Sequence, residues 1–260
     1  ITAATAGGAF AGANPIVFTP IADSATVDVV TIEAALNAGT NVTIVTGIGG
    51  IVEPGNVTVA ATITKSAGAA ATFAINAAGS IIINQAITST TGALSVALNA
   101  NSLAGGANDD LDPAVGNIDI NATITTNGGT FQSTGVNFDN TGGTINTGGN
   151  TVTINHTGAV TLGAAIAAAG SIATVTGSGI NGAGLVTAAT IDLNAAAGIG
   201  NTTALNLSGS GITADTTNGN IDLNNAIAAT YATVTTGAGT IVVDRSEERR
   251  VGKECTCRCR

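Results

Sequence analysis

Residues 116–125 read GNIDINATIT, and the order of residue types in that phrase decides the fold. Ile118 and Ile120 flank Asp119, so apolar and polar side chains alternate with a period of two, as in a strand with one face toward a core. Gly, Asn and β-branched residues packed into ten positions disfavour a helix there. The phrase returns as GNVTVAATIT from Gly55, GSIIINQAIT from Gly79 and GNIDLNNAIA from Gly219, with looser relatives NTVTINHTGAVTL from Asn150 and TIDLNAAAGI from Thr190.

The four starts are separated by 24, 37 and 103 residues. Short strands with NGG, TGG, NAG and GSG punctuation between them predict a coil of roughly 20–24 residues, the repeat length of stacked solenoids. A step of 24 is one coil, 37 is one coil plus the insertion 101–115, and 103 is four or five coils. The expected fold is all-β, a right-handed parallel β-helix over residues 1–244. At the usual repeat length this gives roughly ten to twelve coils and a rod on the order of 50 Å long. No cap is legible at either end, so exposed strand edges are expected. One stretch breaks the pattern: Thr31 to Gly39, TIEAALNAG, carries a Thr cap, an early acidic residue and a terminal Gly, which predicts a short helical turn near residues 31–38.

Composition agrees with a narrow, repeated core. The chain is 44% hydrophobic but 2% aromatic, and 9% of its 260 residues are charged against about 25% in an ordinary domain. It contains no Met, so the reading expects a fragment or processed product.

Residues 245–260, RSEERRVGKECTCRCR, stand apart. They hold all three Cys (Cys255, Cys257, Cys259) and six of the seven basic residues. The run resembles a translated sequencing-library adapter and is expected to be a non-native, disordered tail. CxCxC is too tight for CxxC metal spacing and lacks a second ligand pair. Residues 1–244 then contain one basic side chain, Lys65, against thirteen acidic ones. Nucleic-acid binding and attachment to an anionic membrane both draw on Lys and Arg, so both are excluded. No run of about 20 apolar residues offers a spanning helix, so no membrane insertion is expected.

Three phrases carry a resemblance: FTPIADSATVDVVTIEAALNAGTNVTIVTG (18–47), AAGSIIINQAITSTTGALSVALNANS (77–102) and GNIDINATITTNGGTFQSTG (116–135). They resemble the large filamentous-haemagglutinin-like exoproteins of Gram-negative bacteria and cyanobacteria, over most of residues 18–244. The resemblance implies a right-handed parallel β-helix, two-partner secretion through an outer-membrane β-barrel transporter, and an adhesive or matrix-building role outside the cell. The implied partners are host-cell or matrix glycans and proteins.

Candidates for chemistry are few. His156, the single histidine, sits beside a turn in TINHTG and is expected to be solvated or part of a ladder rather than a catalytic base. A β-helical polysaccharide lyase or hydrolase is the enzyme alternative, but such sites pair clustered Asp with Arg or Lys, and here only Lys65 is present. The reading is therefore of a non-enzyme. Asp109, Asp110 and Asp112 in GGANDDLDP form a weak Ca²⁺ candidate, a poor single-copy match to the Ca²⁺-binding repeat GGxGxDxUx, and no other cofactor is expected. Asp119, Asp192 and Asp222 are expected to point outward as solubilising charges. Asn84, Asn121, Asn155, Asn194 and Asn224 recur after the second inward position and would form a ladder if stacked. The triplets Thr62–Thr64, Thr123–Thr125 and Thr151–Thr153 could form a flat ice-binding face, but their irregular spacing argues against alignment.

Overall fold

The computed structural model describes residues 1–46, 55–101 and 116–245. The chain winds into a parallel β-solenoid of about 8 turns, with 53% of residues in strands and 4% helical. Each coil lays down three faces. The first holds Val57–Val59, Ile81–Ile83, Ile118–Ile120, Phe138–Asp139, Ala159–Thr161 and Gly179–Asn181. The second begins with Ile63–Lys65, Ile87–Ser89, Ile124–Thr125 and Ile145–Asn146. The third runs from Ile16–Pro20 and Val42–Val45 through Ala71–Asn76, Leu94–Asn99, Phe131–Gly135 and Val152–His156.

The recurring phrases stack on one another. Val57 lies opposite Ile81 and Ile81 opposite Ile118, so the steps of 24 and 37 are each one coil. From Ile118 the column climbs through Phe138, Val160, Ile180 and Ile199 to Ile221, which resolves the step of 103 into five coils. All these side chains but Val57 are at most 1% exposed. Full burial of such a side chain contributes about 1.5–3 kcal/mol before entropy is counted.

The count of about eight turns corrects the expected ten to twelve. The first 46 residues contribute only Ile16–Pro20 and Val42–Val45 to the parallel stack. The rest of this segment closes the N-terminal end, contrary to the expected open edges. Gly8–Ala11 pairs antiparallel with Ile16–Pro20 and ends the parallel array. A helix, Val29–Asn37, starts two residues earlier than the sequence predicted, because Asp28 rather than Thr31 caps it: Asp28 Oδ1 accepts from Val30 N at 3.1 Å. Ile32 and Leu36 enter the core while the polar side supplies acceptors to the first strand of the second face. Glu33 Oε1 accepts from Thr64 N at 2.7 Å, and Asn37 Oδ1 from Ser66 N and Ala67 N at 2.8 and 3.0 Å. Edge donors that would otherwise lack partners are thereby satisfied. At the other end, Ile241 and Val242 remain 41% and 44% exposed.

Three strands run to 11 or 12 residues, far beyond the short strands of the repeated phrase: Ile166–Gly177, Leu185–Ala195 and Leu205–Thr216. Each covers the second face and bends onto the third without a turn. Small residues at the bend permit this, and Gly170 adopts φ +80°, which a larger residue disfavours. Among the described residues no helix is long and apolar enough to cross a membrane.

Candidate functional site

Alternation along Val152–His156 places Val152 and Ile154 inward, and the same parity carries His156 into the core, where it is 3% exposed. This corrects the expectation of a solvated histidine. Its partner is Ser133, fully buried in a column otherwise built of Ile75, Leu98, Ile154 and Val175. Ser133 Oγ and His156 Nε2 are 2.8 Å apart, and Nδ1 has no hydrogen-bond partner among the described residues. The ring lies 5.4 Å from that of Phe138. Burial lowers the imidazole pKa from 6.5 to about 4, so it is neutral at pH 7. With both groups sealed from solvent, His156 cannot reach an external substrate.

Lys65 is the second polar residue inside the wall, at 0% exposure. Its Nζ donates to the carbonyls of Ala67, Gly68 and Thr91 at 2.5, 3.2 and 2.9 Å. Ser89, opposite it in the next coil, donates to Gly92 O at 2.6 Å, and Thr126 donates to Gly129 O at 2.5 Å. The corner between the second and third faces thus repeatedly needs a donor for inward-pointing turn carbonyls, and Lys65 fills that role in the first coil. The one basic side chain of residues 1–244 is consequently withdrawn from the surface.

Asp119, Asp192 and Asp222 each sit between two buried apolar neighbours and point outward, as expected. Asp119 has an additional neighbour that the sequence reading missed: Asp139 lies opposite it one coil away. Parallel strands are about 4.8 Å apart, so the carboxylates share one column. Partial burial, and then the charge of Asp139, raise the Asp119 pKa above its ordinary value. Asp139 Oδ1 also accepts from Thr141 N at 2.7 Å.

The Asn residues divide among the faces instead of forming one ladder. Asn121 Nδ2 donates to Asn84 Oδ1 at 3.0 Å on the first face. Asn224 Nδ2 donates to Asn206 Oδ1 at 3.1 Å on the second. Asn155 and Asn194 belong to an outward column of the third face that runs Asn76, Asn99, Thr134, Asn155, Thr176, Asn194, Asp215, Thr235. Asn99 Nδ2 donates to Asn76 Oδ1 at 2.7 Å, Thr134 Oγ1 to Asn99 Oδ1 at 2.9 Å, and Thr235 Oγ1 to Asp215 Oδ1.

Thr alignment also differs from expectation. Thr64, Thr88 and Thr125 occupy one column of the second face although the steps between them are 24 and 37 residues. Thr153 lies on the third face, where Thr174, Asp192, Thr213 and Thr233 follow it. A shallow groove follows the edge of that face between Thr176, Asn194 and Asp215 and the turn residues Ala196 and Thr217.

Asp109, Asp110 and Asp112 lie outside the described residues. Among the described residues no three His, Cys, Asp or Glu side chains come together as a metal-binding group. No family model matches the chain, and neither curated proteins nor solved structures match it.

Proposed function

We propose that this chain is a stalk segment of a secreted, cell-surface bacterial exoprotein of the filamentous-haemagglutinin-like kind, adhesive and structural rather than catalytic. The observation that carries the reading is the unbroken inward column from Val57 to Ile221. Stacked coils that contact only their neighbours make a stiff spacer whose outer faces and loops are left for binding. The outward side chains of the third face are mainly short hydroxyls and amides, with Asp192 and Asp215 among them, and some bond along the stack, a surface suited to polar ligands such as glycans. The burial of His156 and Lys65 supports a non-catalytic role, since neither the one histidine nor the one lysine of the repeat region reaches the surface.

The test is retention of beads coated with the chain on cultured cells and on immobilised matrix glycans. The reading expects retention above that of bare beads, with no sugar product released. Release of reducing or unsaturated ends from pectin-like or alginate-like polymers would instead favour a β-helical carbohydrate-active enzyme. Absence of retention on every surface would overturn the adhesive reading.

A further inference from the structure

We propose that the Ser133–His156 pair is an acid-sensitive joint in the middle of the solenoid: protonation of the imidazole separates the coils carrying Phe131–Gly135 and Val152–His156 before the flanking coils unfold. Four observations place the joint there. Among the described residues the pair is the one side-chain-to-side-chain hydrogen bond with both partners inside the core, and it ties two adjacent coils across 23 residues. His156 Nδ1 already lacks a partner, so a second N–H on the ring would have no acceptor. Gly135 stands opposite His156 on the neighbouring coil, so no side chain at that position offers the ring an acceptor. Finally, among the described residues no charged group packs against the ring to compensate a positive charge. The neighbouring strands offer Ser133 and Gly135 from below and the Phe138 ring from the first face. The carboxylates on that face, Asp139 beside Phe138 and Asp119 one coil below, point outward on the other side of the sheet.

The sign follows from burial. With the folded pKa near 4 and the ordinary value at 6.5, the native form binds fewer protons than the opened form between those values. The stabilisation is complete above pH 6.5 and is lost as pH falls toward 4. In a stack held by nearest-neighbour contacts, such a loss is confined to the coils that suffer it. The opening constant of this segment rises on the order of 50-fold between pH 7 and pH 4.5.

Hydrogen exchange on the full chain, corrected for intrinsic rates, reads this directly. Protection over residues 131–156 should fall steeply from pH 7 to pH 4.5, while residues 71–99 and 205–225 keep theirs. His156→Gln, which keeps a polar side chain but does not titrate, should flatten the response. Ser133→Ala retains the titrating ring and should retain the response. Should His156→Gln not fold, the ring resonances of the single histidine in the wild-type chain decide, with a native-state midpoint near 4, the pH at which the fall in protection levels off. A midpoint near 6.5, an unchanged response in a folded His156→Gln chain, or earlier opening at residues 71–99 or 205–225 would overturn the proposal.

Discussion

Asn121 Nδ2 donates to Asn84 Oδ1 at 3.0 Å although 37 residues separate them, and the residues three positions before each, Ile118 and Ile81, stack in the core. For these two copies of the phrase, equivalent places in sequence are equivalent places in space despite the longer interval between them. This bond joins two short amides on the surface, where a hydrogen bond is worth about 0.5–1.5 kcal/mol net. Asn84→Ala and Asn121→Ala should each cost about 1 kcal/mol, and a double-mutant cycle by chemical denaturation should show that the two losses are not additive.

Ile120 is fully buried and lies opposite Ile83. Ile120→Asp places an unpaired carboxyl in the wall of the core and should cost more than about 3 kcal/mol. Ile120→Val removes one methylene and should cost about 1 kcal/mol. Thermal unfolding checks both, and an unchanged transition in Ile120→Asp would reject the inward placement.

Lys65→Met should be destabilising despite its similar size, by at least about 2 kcal/mol, because the carbonyls of Ala67, Gly68 and Thr91 lose their donor. Since Ser89 performs the same bond to its own turn, Lys65→Ser should recover part of the loss. Denaturant midpoints that rank Met above Ser at this position would contradict the corner rule.

The stacked carboxylates give a titration test. Asp139→Asn removes the neighbouring charge and should bring the Asp119 pKa down toward its ordinary value, leaving the part due to burial. A carboxyl raised on folding favours the folded state at low pH and loses that contribution as pH rises through the raised value. The Asp139→Asn chain should therefore lose less stability than wild type as pH rises from acid through that range. Carboxyl NMR follows the first effect and denaturation at several pH values the second.

Much of this architecture is legible in the residues. Alternation in GNIDINATIT and its relatives identifies the strands, and the intervals of 24 and 37 each read as one coil, while 103, read as four or five coils, is five. Parity also held information that went unused: Ile63-Thr-Lys65, Phe131-Gln-Ser133 and Val152-Thr-Ile-Asn-His156 all place their polar residue on the inward side. What a local pattern does not carry is the position of each strand around the coil. Corner lengths vary, and some corners vanish where Ala168 to Ser171 bend without a turn, so similar phrases fall on different faces. Asn224 and Asn155 left the expected ladder for that reason, and Asp119 met Asp139, which no shared phrase links to it. Of the N-terminal closure only the helix was legible, from its capping residues; the antiparallel pair obeys none of the repeat grammar, so the closing of the stack was hidden.

The central claim, that the phrases stack in register across unequal intervals of sequence, is tested most directly by disulfide trapping. Thr88 and Thr125 lie opposite one another in adjacent parallel strands, while Thr64 is two coils from Thr125. Neighbouring Cα atoms about 5 Å apart fall within disulfide range, and atoms two strands away do not. With Cys255, Cys257 and Cys259 replaced by Ser, Thr88→Cys with Thr125→Cys should oxidise to a cross-linked chain, and Thr64→Cys with Thr125→Cys should not. Ready cross-linking of the second pair and none of the first would contradict the stacking register on which the whole account rests.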